Sequence, residues 1–405
     1  MTSIRPTRDA GCAHLAAFAP RMGLRYAGGR NFDHGPQRHQ HVSTLSPWLR
    51  RRLITEHEIV AHALAHHGPE AAEKFIQEVF WRGYFKGWLE RRPGIWHSYR
   101  AGLTADLEAL GKDRALAHQV AAAENGSTGL ACFDEWAREL IETGYLHNHA
   151  RMWFASIWIF TFGLPWRVGA DFFLRHLLDG DPASNTLSWR WVAGLHTRGK
   201  TYQAQAWNIA KFTQGRFSPR EADLAADAPA LTETEPDGLP QVRPLRQPAS
   251  PEASLPSVLL ITEDDCCVQE FDLAAHNIRG AAALRASHLR SPRAVAEHVA
   301  AFEEGALADA AARVPFEVET LRAGHPPDLA RWAAKAGARQ ILTPYIPEGY
   351  LRDWLIKAAP ALDAKGIRLA EWQRDWDRLI WPHATAGFFK VKKAIPEILQ
   401  HAGLS

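Results

Sequence analysis

The chain contains few sulfur-bearing residues, with four cysteines and three methionines among its 405 residues. Cys266 and Cys267 are adjacent, Cys12 and Cys132 are isolated, and no Cys-x-x-Cys pair occurs. This pattern supplies neither the framework of a disulfide-rich protein nor the ligand spacing of a zinc site. We therefore expect no disulfide scaffold and no metal site.

Long apolar runs and an excess of one charge are also lacking. The richest apolar stretch, 152–162, is shorter than the roughly 18–20 residues that span a bilayer. The first residues, MTSIRPTRDAG, contain no apolar signal core. The formal net charge is +2, so nucleic-acid binding would require a local basic patch. We expect a soluble, cytoplasmic monomer without a membrane partner.

Tryptophan, in contrast, is abundant, with sixteen residues. Such rings either fill a large aromatic core, or carry electrons and stack on flat ligands. The hydrophobic fraction of 46% and the charged fraction of 23% are those of a globular protein, which excludes a disordered or fibrous chain. The length allows two or three domains.

Residues 218–256 divide the chain into two parts of different character. This stretch is rich in Pro, Ala and Glu and has no apolar periodicity, which predicts a linker. Before it, apolar spacings of three and four predict an all-helical domain over residues 1–217. The clearest helical windows are 55–66, 70–90, 132–160 and 167–178.

After the linker, residues 257–405 alternate between strand and helix patterns. The predicted strands are SVLLIT, AAALRA, FEVETL, QILTPY and the final IRLAEW, with helical windows at 292–312, 327–336 and 349–366. This alternation predicts a parallel sheet with helical crossovers. No Gly-x-Gly-x-x-Gly follows the first strand, so nothing indicates dinucleotide binding there.

One segment near the N-terminus, residues 26–47, carries groups suited to an anion. Tyr26 lies in YAGGRNF, and Ser43 and Ser46 lie in VSTLSPW, where a helix could begin. Hydroxyl groups and free N–H groups at a helix start favour phosphate. A plain helix cap explains the same residues.

Glu78, Trp81 and Arg82 share one face of a predicted helix, because they are spaced i, i+3 and i+4. A carboxylate, a flat ring and a guanidinium on one face could line a cavity. The alternative is an intrahelical Glu78–Arg82 ion pair beside a packed Trp81.

The segment HNHARM places Asn148, Arg151 and Met152 on one helix face. An amide, a guanidinium and a thioether seldom share a face that is only core. His147 and His149 are not at the i, i+4 spacing of a zinc pair, so a structural role is expected for each.

The segment DGDPASN follows an apolar helix, so Asp179 and Asp181 are expected to be partly enclosed. Buried carboxylates need partners, and Arg151 is a candidate. The alternative is a capped turn with Asp181 as the N-cap.

In their order and spacing, these four segments resemble the FAD-binding domain of the DNA photolyase/cryptochrome family. TGLACFDEWARELIETGYLHNHARMWFAS and DGDPASNTLSWRWVAG carry most of the resemblance, which runs from about Tyr26 to Phe217. That family normally places an α/β domain before its helical domain. The resemblance implies a domain-permuted member of class α + α/β, with a helical FAD-binding domain followed by a Rossmann-like parallel α/β domain. The alternative is an unrelated α/β appendage.

The resemblance implies that FAD binds in the helical domain in a folded-back form. The matching positions are Tyr26, Ser43, Leu45, Ser46, Arg82, Asn148, Arg151, Asp179, Asp181 and Asn185. Asp179 would pair with Arg151, and Asn185 would face the reactive nitrogen of the isoalloxazine. Val42 replaces the Thr usual in the family, which puts one phosphate contact in doubt. The contacts of an antenna chromophore cannot be placed.

The implied activity is that of a deoxyribodipyrimidine photolyase, in which light drives an electron from reduced FAD to a flipped-out pyrimidine dimer. The residues implied at the DNA and the lesion are Arg30, Glu78, Trp81, Asn148, Met152 and Trp191. Trp81 and Trp191 would sandwich the flipped bases. HNHARM differs from the HHLARH of (6-4) photolyases, which favours cyclobutane dimers. His149 replaces a family Arg and predicts a weaker, pH-sensitive DNA contact.

Photoreduction in the family runs through three tryptophans, and Trp189 and Trp166 match the two nearest the flavin. The implied catalytic set is Glu78, Trp166, Trp189 and Asn185. The outermost position, in the region 112–118, has no aromatic residue. Candidate substitutes are Trp96, Tyr99, Trp136, Trp153 and Trp158.

Two further functions stay open. One is a cryptochrome-like blue-light photoreceptor without repair activity, and the other is a degenerate flavoprotein that binds DNA without catalysis. The retained lesion residues favour repair over both.

Overall fold

The computed structural model describes residues 4–232 and 239–404. The part before residue 213 folds into helices. They are α1 (Arg8–Phe18), α2 (Leu24–Gly29), α3 (Ser46–Arg50), α4 (Glu56–Glu90), α5 (Pro93–Lys112), α6 (Arg114–Asn125), α7 (Ala131–Thr143), α8 (Asn148–Ser156), α9 (Trp166–His176), α10 (Pro182–Val192) and α11 (Ala206–Phe212). The predicted all-helical first domain is confirmed.

Glycine and proline set breaks in the helices that carry the site. Gly68 has φ 69° and interrupts α4 just before Pro69, so this long helix consists of two segments. Gly144, with φ 68°, ends α7. The side chain of His147 then caps α8. The helix predicted over 132–160 is therefore two helices.

The second part is built around a five-stranded parallel sheet. Its elements are β1 (Ser257–Thr262), β2 (Ile278–Arg285), α12 (Glu297–Ala312), β3 (Val318–Arg322), α13 (Pro327–Lys335), β4 (Gln340–Pro344), α14 (Tyr350–Asp363), β5 (Arg368–Trp372), α15 (Asp375–Ile380) and α16 (Phe389–His401). The strand order is β3-β2-β1-β4-β5, and neighbouring strands are parallel. Central β1 is buried along its whole length, as in a sheet covered on both faces. The predicted fold class is confirmed, although α15 and α16 follow the strand predicted to be last.

The carboxyl end of the sheet docks on the helical domain through buried charges. The acidic run 263–265, directly after β1, meets the arginine run 50–52, which begins at the last residue of α3. The ion pairs are Arg50–Asp264 at 2.8 Å, Arg51–Glu263 at 3.2 Å and Arg52–Asp265 at 3.5 Å. Buried charges require such partners. Parallel α/β sheets usually bind ligands at this end, so here the arginines occupy the usual ligand crevice.

Two glycines of α4 accommodate the C-terminal part of the chain. A Cβ atom added at Gly83 would lie 3.0 Å from Ile380, and one at Gly87 would lie 2.7 Å from Trp381. The absence of side chains at these positions, one helical turn apart, therefore lets α15 approach α4 closely. The same helix carries Glu78, Trp81 and Arg82, so the C-terminal part lies beside the candidate site.

The predicted linker, 218–256, runs between the two parts and is held by contacts with both. The N–H of Arg243 donates to the carbonyl of Arg91 at 2.8 Å, and Arg246 pairs with Glu371. Residues 233–238 of this prediction lie outside the described residues, and the domain boundaries stay a prediction. Within the described ranges, no helix has the length and apolar character needed to cross a membrane.

Candidate functional site

A cavity of about 470 Å³ lies among α3, α4, α8 and α10. This volume is within the range of small-molecule sites, about 300–1,000 Å³. The predicted residues that line it are Tyr26, Ser43, Leu45, Ser46, Glu78, Trp81, Arg82, Asn148, Arg151, Met152, Asp179, Asp181, Asn185, Trp189 and Trp191. Arg30 and Trp166 are not part of the lining. The structure thus brings four segments that are distant in sequence to one place.

Arg151 and Asp179 form the expected ion pair in the wall of the cavity. Nη2 of Arg151 donates to Oδ2 of Asp179 at 3.0 Å, and its Nε donates to the carbonyl of Leu146 at 2.8 Å. Burial alone would raise the pKa of Asp179, but the charge and hydrogen bond of Arg151 outweigh it and lower the pKa. The carboxylate is therefore ionised, and the guanidinium is held at a fixed angle.

Asp181 serves both the fold and the cavity. Its Oδ1 accepts a hydrogen bond from the N–H of Ser184 at 2.8 Å and so caps α10, as the alternative interpretation had it. Burial favours the neutral form, but Lys86, Arg50 and Arg82 outweigh it and lower the pKa of Asp181 to about 2. A second permanent negative charge therefore lies at the start of α10.

Four buried polar atoms in the cavity wall lack a hydrogen-bond partner in the described structure. They are Nη2 of Arg82, Oδ1 of Asp179, Oγ of Ser184 and Nε1 of Trp189. An unsatisfied buried polar group costs about 1–3 kcal/mol, and such groups call for an explanation. Each atom belongs to a residue that lines the cavity, so a polar ligand there would meet unpaired donors and acceptors in its wall.

Asn185 has one of its two N–H donors already engaged. Its Nδ2 donates to the carbonyl of Ala170 in α9 at 2.8 Å. The second N–H can still donate a hydrogen bond, and Oδ1 can accept one. In the cavity Asn185 is therefore able to meet either a protonated nitrogen or an anionic atom of a ligand.

The segment before α3 carries backbone strain and hydroxyl groups. Thr44 has a φ of 49°, which is unusual for a residue other than glycine. Nε2 of His14 lies 2.8 Å from the carbonyl oxygen of Ser43 and 2.9 Å from Oγ1 of Thr44, which holds the strained segment in place. Ser46 begins α3. Sequence reasoning missed His14, because nothing near it in the sequence connects it with this segment.

Glu78 pairs with Arg30 of the neighbouring segment, at 2.9 Å. The alternative interpretation, an intrahelical pair of Glu78 with Arg82, is therefore wrong, because Arg30, at the end of α2, reaches the carboxylate. Burial raises the pKa of Glu78 in spite of the attraction from Arg30 and Lys74. Glu78 thus retains a proton to a higher pH than an exposed glutamate.

The two rings predicted to flank the lesion each have a protein ring on one face. Trp81 stacks on Phe388, with 3.9 Å between ring centroids and 13° between planes. Trp191 stacks on Tyr202 at 5.6 Å and 28°. Phe388 belongs to the C-terminal segment before α16, and sequence reasoning missed it, since it lies far along the chain from Trp81.

The environment of His149 contradicts the predicted DNA contact. Its Nδ1 donates to the carbonyl of Asn31 at 2.9 Å, and its Nε2 lies 3.3 Å from the hydroxyl of Tyr202. The ring stacks on Trp153 at 4.2 Å. Both nitrogens are engaged within the protein, so the prediction of a pH-sensitive contact to DNA is wrong and His149 has a structural role.

An aromatic chain begins at Trp166, which lies outside the cavity. Trp166 is 5.9 Å from Tyr99, and Tyr99 is 5.4 Å from Trp96, between ring centroids. Trp158 contacts Trp189 at 6.3 Å. The two remaining candidates, Trp136 and Trp153, stack on each other at 5.3 Å.

Sequence reasoning also missed two serines of the cavity. Ser184 and Ser188 lie on the face of α10 that carries Asn185 and Trp189, and all four line the cavity. Their spacing of four residues was the signal that could have identified them.

Comparison with known proteins gives a family model and several similar proteins. Residues 75–220 match the family model of the FAD binding domain of DNA photolyase. A deoxyribodipyrimidine photo-lyase of Streptomyces griseus is 33% identical over 196 residues, which are 48% of this chain and 40% of that protein. A chloroplastic/mitochondrial cryptochrome DASH of Ostreococcus tauri is 31% identical over 208 residues, which are 49% of this chain and 36% of that protein.

A solved bacterial class III photolyase from Agrobacterium tumefaciens superposes with a TM-score of 0.43 and 23% identity, covering 58% of this chain and 53% of its own. For the Streptomyces griseus and Ostreococcus tauri proteins, the matched part of this chain spans less than half of the relative's length.

Proposed function

We propose that this chain is a member of the DNA photolyase/cryptochrome family through its helical domain. In this proposal it is an FAD-dependent enzyme that uses light to split cyclobutane pyrimidine dimers in DNA. The observation that carries the proposal is the cavity itself. It joins the Arg151–Asp179 pair and unpaired buried polar groups to a rim that contains two tryptophans, Trp81 and Trp191.

The cavity residues fit FAD in charge and hydrogen-bonding capacity. Tyr26, Ser43, Leu45 and Ser46 would hold the phosphates and their surroundings. The residues that would surround the flavin are Arg82, Asn148, Arg151, Asp179, Asp181 and Asn185. Reduced FAD, when bound and excited by light, supplies the electron that opens the dimer.

Asn185 would face the bound group with both an acceptor and a donor. One N–H of its Nδ2 is bonded to Ala170, so its Oδ1 would accept from a protonated nitrogen of the ligand, or its second N–H would donate to an anionic one. Asp179 keeps Arg151 in position, and the ionised pair would stay fixed on binding. The polar groups of the cavity would therefore be preorganised for the ligand.

The rim residues would receive the flipped bases. Trp81 and Trp191 each keep one face covered by a protein ring, which leaves the other face for stacking on a base. Burial raises the pKa of Glu78, so in its protonated form it would donate a hydrogen bond to the edge of a base. Met152 would contact the lesion, and Arg30 would contact the DNA backbone while it orients Glu78.

Two sets of ring contacts bear on the photoreduction path. Trp189 lines the cavity and contacts Trp158, and Tyr99 and Trp96 extend from Trp166. Because Trp166 matches the second position of the family path, Tyr99 and Trp96 are the substitutes that we propose for the missing outer tryptophan. Trp136 and Trp153 stack on each other, separately from this chain.

The α/β part would be the N-terminal domain of the family, placed here after the helical domain. Its five-stranded parallel sheet and its extensive docking on the helical domain support this permutation over an unrelated appendage. Cytoplasmic location and a monomeric state stay predictions.

A repair assay tests the function. The purified protein is reconstituted with FAD, reduced chemically and mixed with an oligothymidine that contains cyclobutane dimers, in blue light and in darkness. We expect the wild-type protein to remove the dimers in light and not in darkness. Asp179→Asn, which we expect to bind FAD about 5- to 30-fold more weakly, should repair less at limiting FAD. Protein that cannot be reconstituted with FAD would remove every light-dependent function.

A blue-light receptor without repair activity is the second candidate, because a protein named cryptochrome DASH is similar over 49% of this chain. Protein that holds FAD and changes its flavin absorbance in light, yet leaves dimers intact when reduced, would favour this candidate over repair.

A further inference from the structure

Phe388 forms a tight ring contact with the candidate lesion site. Its ring lies parallel to Trp81, with 3.9 Å between centroids and 13° between planes. Phe388 directly precedes α16, so this contact joins the C-terminal part of the chain to α4.

The segment around Phe388 is anchored on α4 and on the residues that follow it. The hydroxyl of Tyr84 donates to the carbonyl of Ala386 at 2.9 Å, and Nη2 of Arg92 donates to the carbonyl of Thr385 at 2.8 Å. On the other side of Phe388, Lys392 forms an ion pair with Glu73 at 3.4 Å. The position of the Phe388 ring is therefore fixed relative to Trp81 from both directions along the chain.

The contacts also indicate which face of Trp81 is covered. On α4, Glu78, Trp81, Arg82 and Phe85 line the cavity. Phe388 contacts Trp81 and also Tyr84, with 5.6 Å between the ring centroids of Phe388 and Tyr84. Tyr84 lies on the adjoining side of α4. Among the described residues, those that line the cavity do not include Phe388. Phe388 therefore backs the outer face of Trp81 and leaves the inner face to the cavity.

We propose that Phe388 is a positioning residue for lesion binding, which holds the indole of Trp81 in the orientation that a flipped base stacks on. This inference rests on the proposed function, because it assumes that Trp81 binds a base. An extruded base stacks best on a ring whose plane is already fixed. A ring that is free to rotate must be ordered when the base binds, and this entropy cost lowers the affinity for the base. The C-terminal part of the chain thus completes a site that otherwise consists of residues from the helical domain.

The experiment compares Phe388→Ala, Phe388→Tyr and the neighbouring Phe389→Ala in the full-length, FAD-reconstituted protein. Phe389 is a matched control, because it is the next residue and 64% exposed. Affinity is measured for a duplex with one cyclobutane thymine dimer and for the undamaged duplex. FAD content is measured for each variant. The protein is also labelled with 5-fluorotryptophan, and the ¹⁹F signal of Trp81 is assigned with Trp81→Phe.

We expect Phe388→Ala to shift the Trp81 signal, because the stacked ring is removed, and to weaken binding of the dimer duplex about five- to tenfold. FAD content and affinity for undamaged DNA should stay at the wild-type level. Phe388→Tyr should restore both the signal and the affinity, and Phe389→Ala should change neither.

The outcomes separate this proposal from the proposed function. Wild-type protein that does not prefer the dimer duplex would overturn both. If wild-type protein prefers it, unchanged affinity in Phe388→Ala despite a shifted Trp81 signal would overturn the positioning role alone. Tighter binding by Phe388→Ala would also overturn it, because Phe388 would then obstruct the base, and so would loss of FAD, which would show a general structural role.

Discussion

Nη2 of Arg151, on α8, lies 3.0 Å from Oδ2 of Asp179, in the loop between α9 and α10. Asp179 is buried, whereas Arg151 is about a quarter exposed. The pair links two walls of the cavity and lowers the pKa of the carboxylate. A neutral side chain at either position would therefore change both the charge and the geometry of the site.

We expect Asp179→Asn to lower FAD affinity about 5- to 30-fold. The amide cannot balance the charge of Arg151, and the partial exposure of Arg151 limits the loss to about 1–2 kcal/mol. FAD affinity is measured by titration of the apoprotein and by flavin retention on gel filtration. The matched control is Asp106→Asn, which breaks the Arg167–Asp106 pair outside the cavity lining, at 3.2 Å. Equal FAD affinity in both variants would reject the assigned role of Asp179.

Trp81→Ala should weaken binding of dimer-containing DNA about 5- to 150-fold, because stacking of a base on an aromatic ring is worth about 1–3 kcal/mol. FAD content should not change. Fluorescence anisotropy with labelled duplexes measures the affinity. Trp332→Ala, in α13 of the α/β part, removes another partly buried indole and should bind the lesion like the wild type. A loss of similar size in both variants would mean that Trp81 has no specific role.

Gly87→Ala should destabilise the protein by about 1–3 kcal/mol, because an added Cβ would overlap the ring of Trp381, at 2.7 Å, and its backbone, at 2.9 Å. Chemical denaturation measures this change. Gly111→Ala, in α5, is the contrasting variant. A Cβ atom there meets nothing within 4 Å, so we expect stabilisation of about 0.5–1 kcal/mol from the higher helix propensity of alanine. Two variants of equal stability would contradict the close packing of α15 on α4.

Stability should fall as pH decreases from about 6.5 towards 4. Burial lowers the pKa of His147 to about 3, of His176 to about 3 and of His196 to about 4. In this interval the unfolded chain binds protons that the folded protein excludes. Each histidine therefore lowers the free energy of unfolding by up to about 1.4 kcal/mol for each pH unit. Above pH 6.5 this cost is absent. Lowering the pH further, through about 4 to 2, also removes the stabilisation from the ionised Asp181.

Urea unfolding at several pH values between about 7.5 and 4.5 measures this slope. His176→Gln should make the slope shallower, since one excluded proton is removed. His66→Gln changes an exposed residue and should leave the slope as in the wild type. A slope that His176→Gln does not alter would show that His176 takes up its proton over the same pH range in the folded protein and in the unfolded chain.

The sequence by itself determined the elements and the chemistry that depends on neighbours along the chain. Apolar spacing indicated α4, α7, α8 and α9, the alternating windows indicated the five strands, and HNHARM and DGD supplied several cavity residues. Helical spacing placed Asn148, Arg151 and Met152 together, because residues three or four apart share a face. Capping by Asp181 follows from a second local rule, since an Asp before Pro at a helix start accepts from the N–H three residues on.

Only the tertiary structure decided which distant residues complete the site. Glu78 forms its ion pair with Arg30 and not with Arg82. His14 forms a hydrogen bond with Thr44, and Phe388 stacks on Trp81. The arginine run 50–52 lies in the crevice at the carboxyl end of the sheet. Its acidic partners there are more than 200 residues away in the sequence. Such contacts have no periodic signal, because they depend on how two independently patterned parts pack against each other and not on the spacing within either.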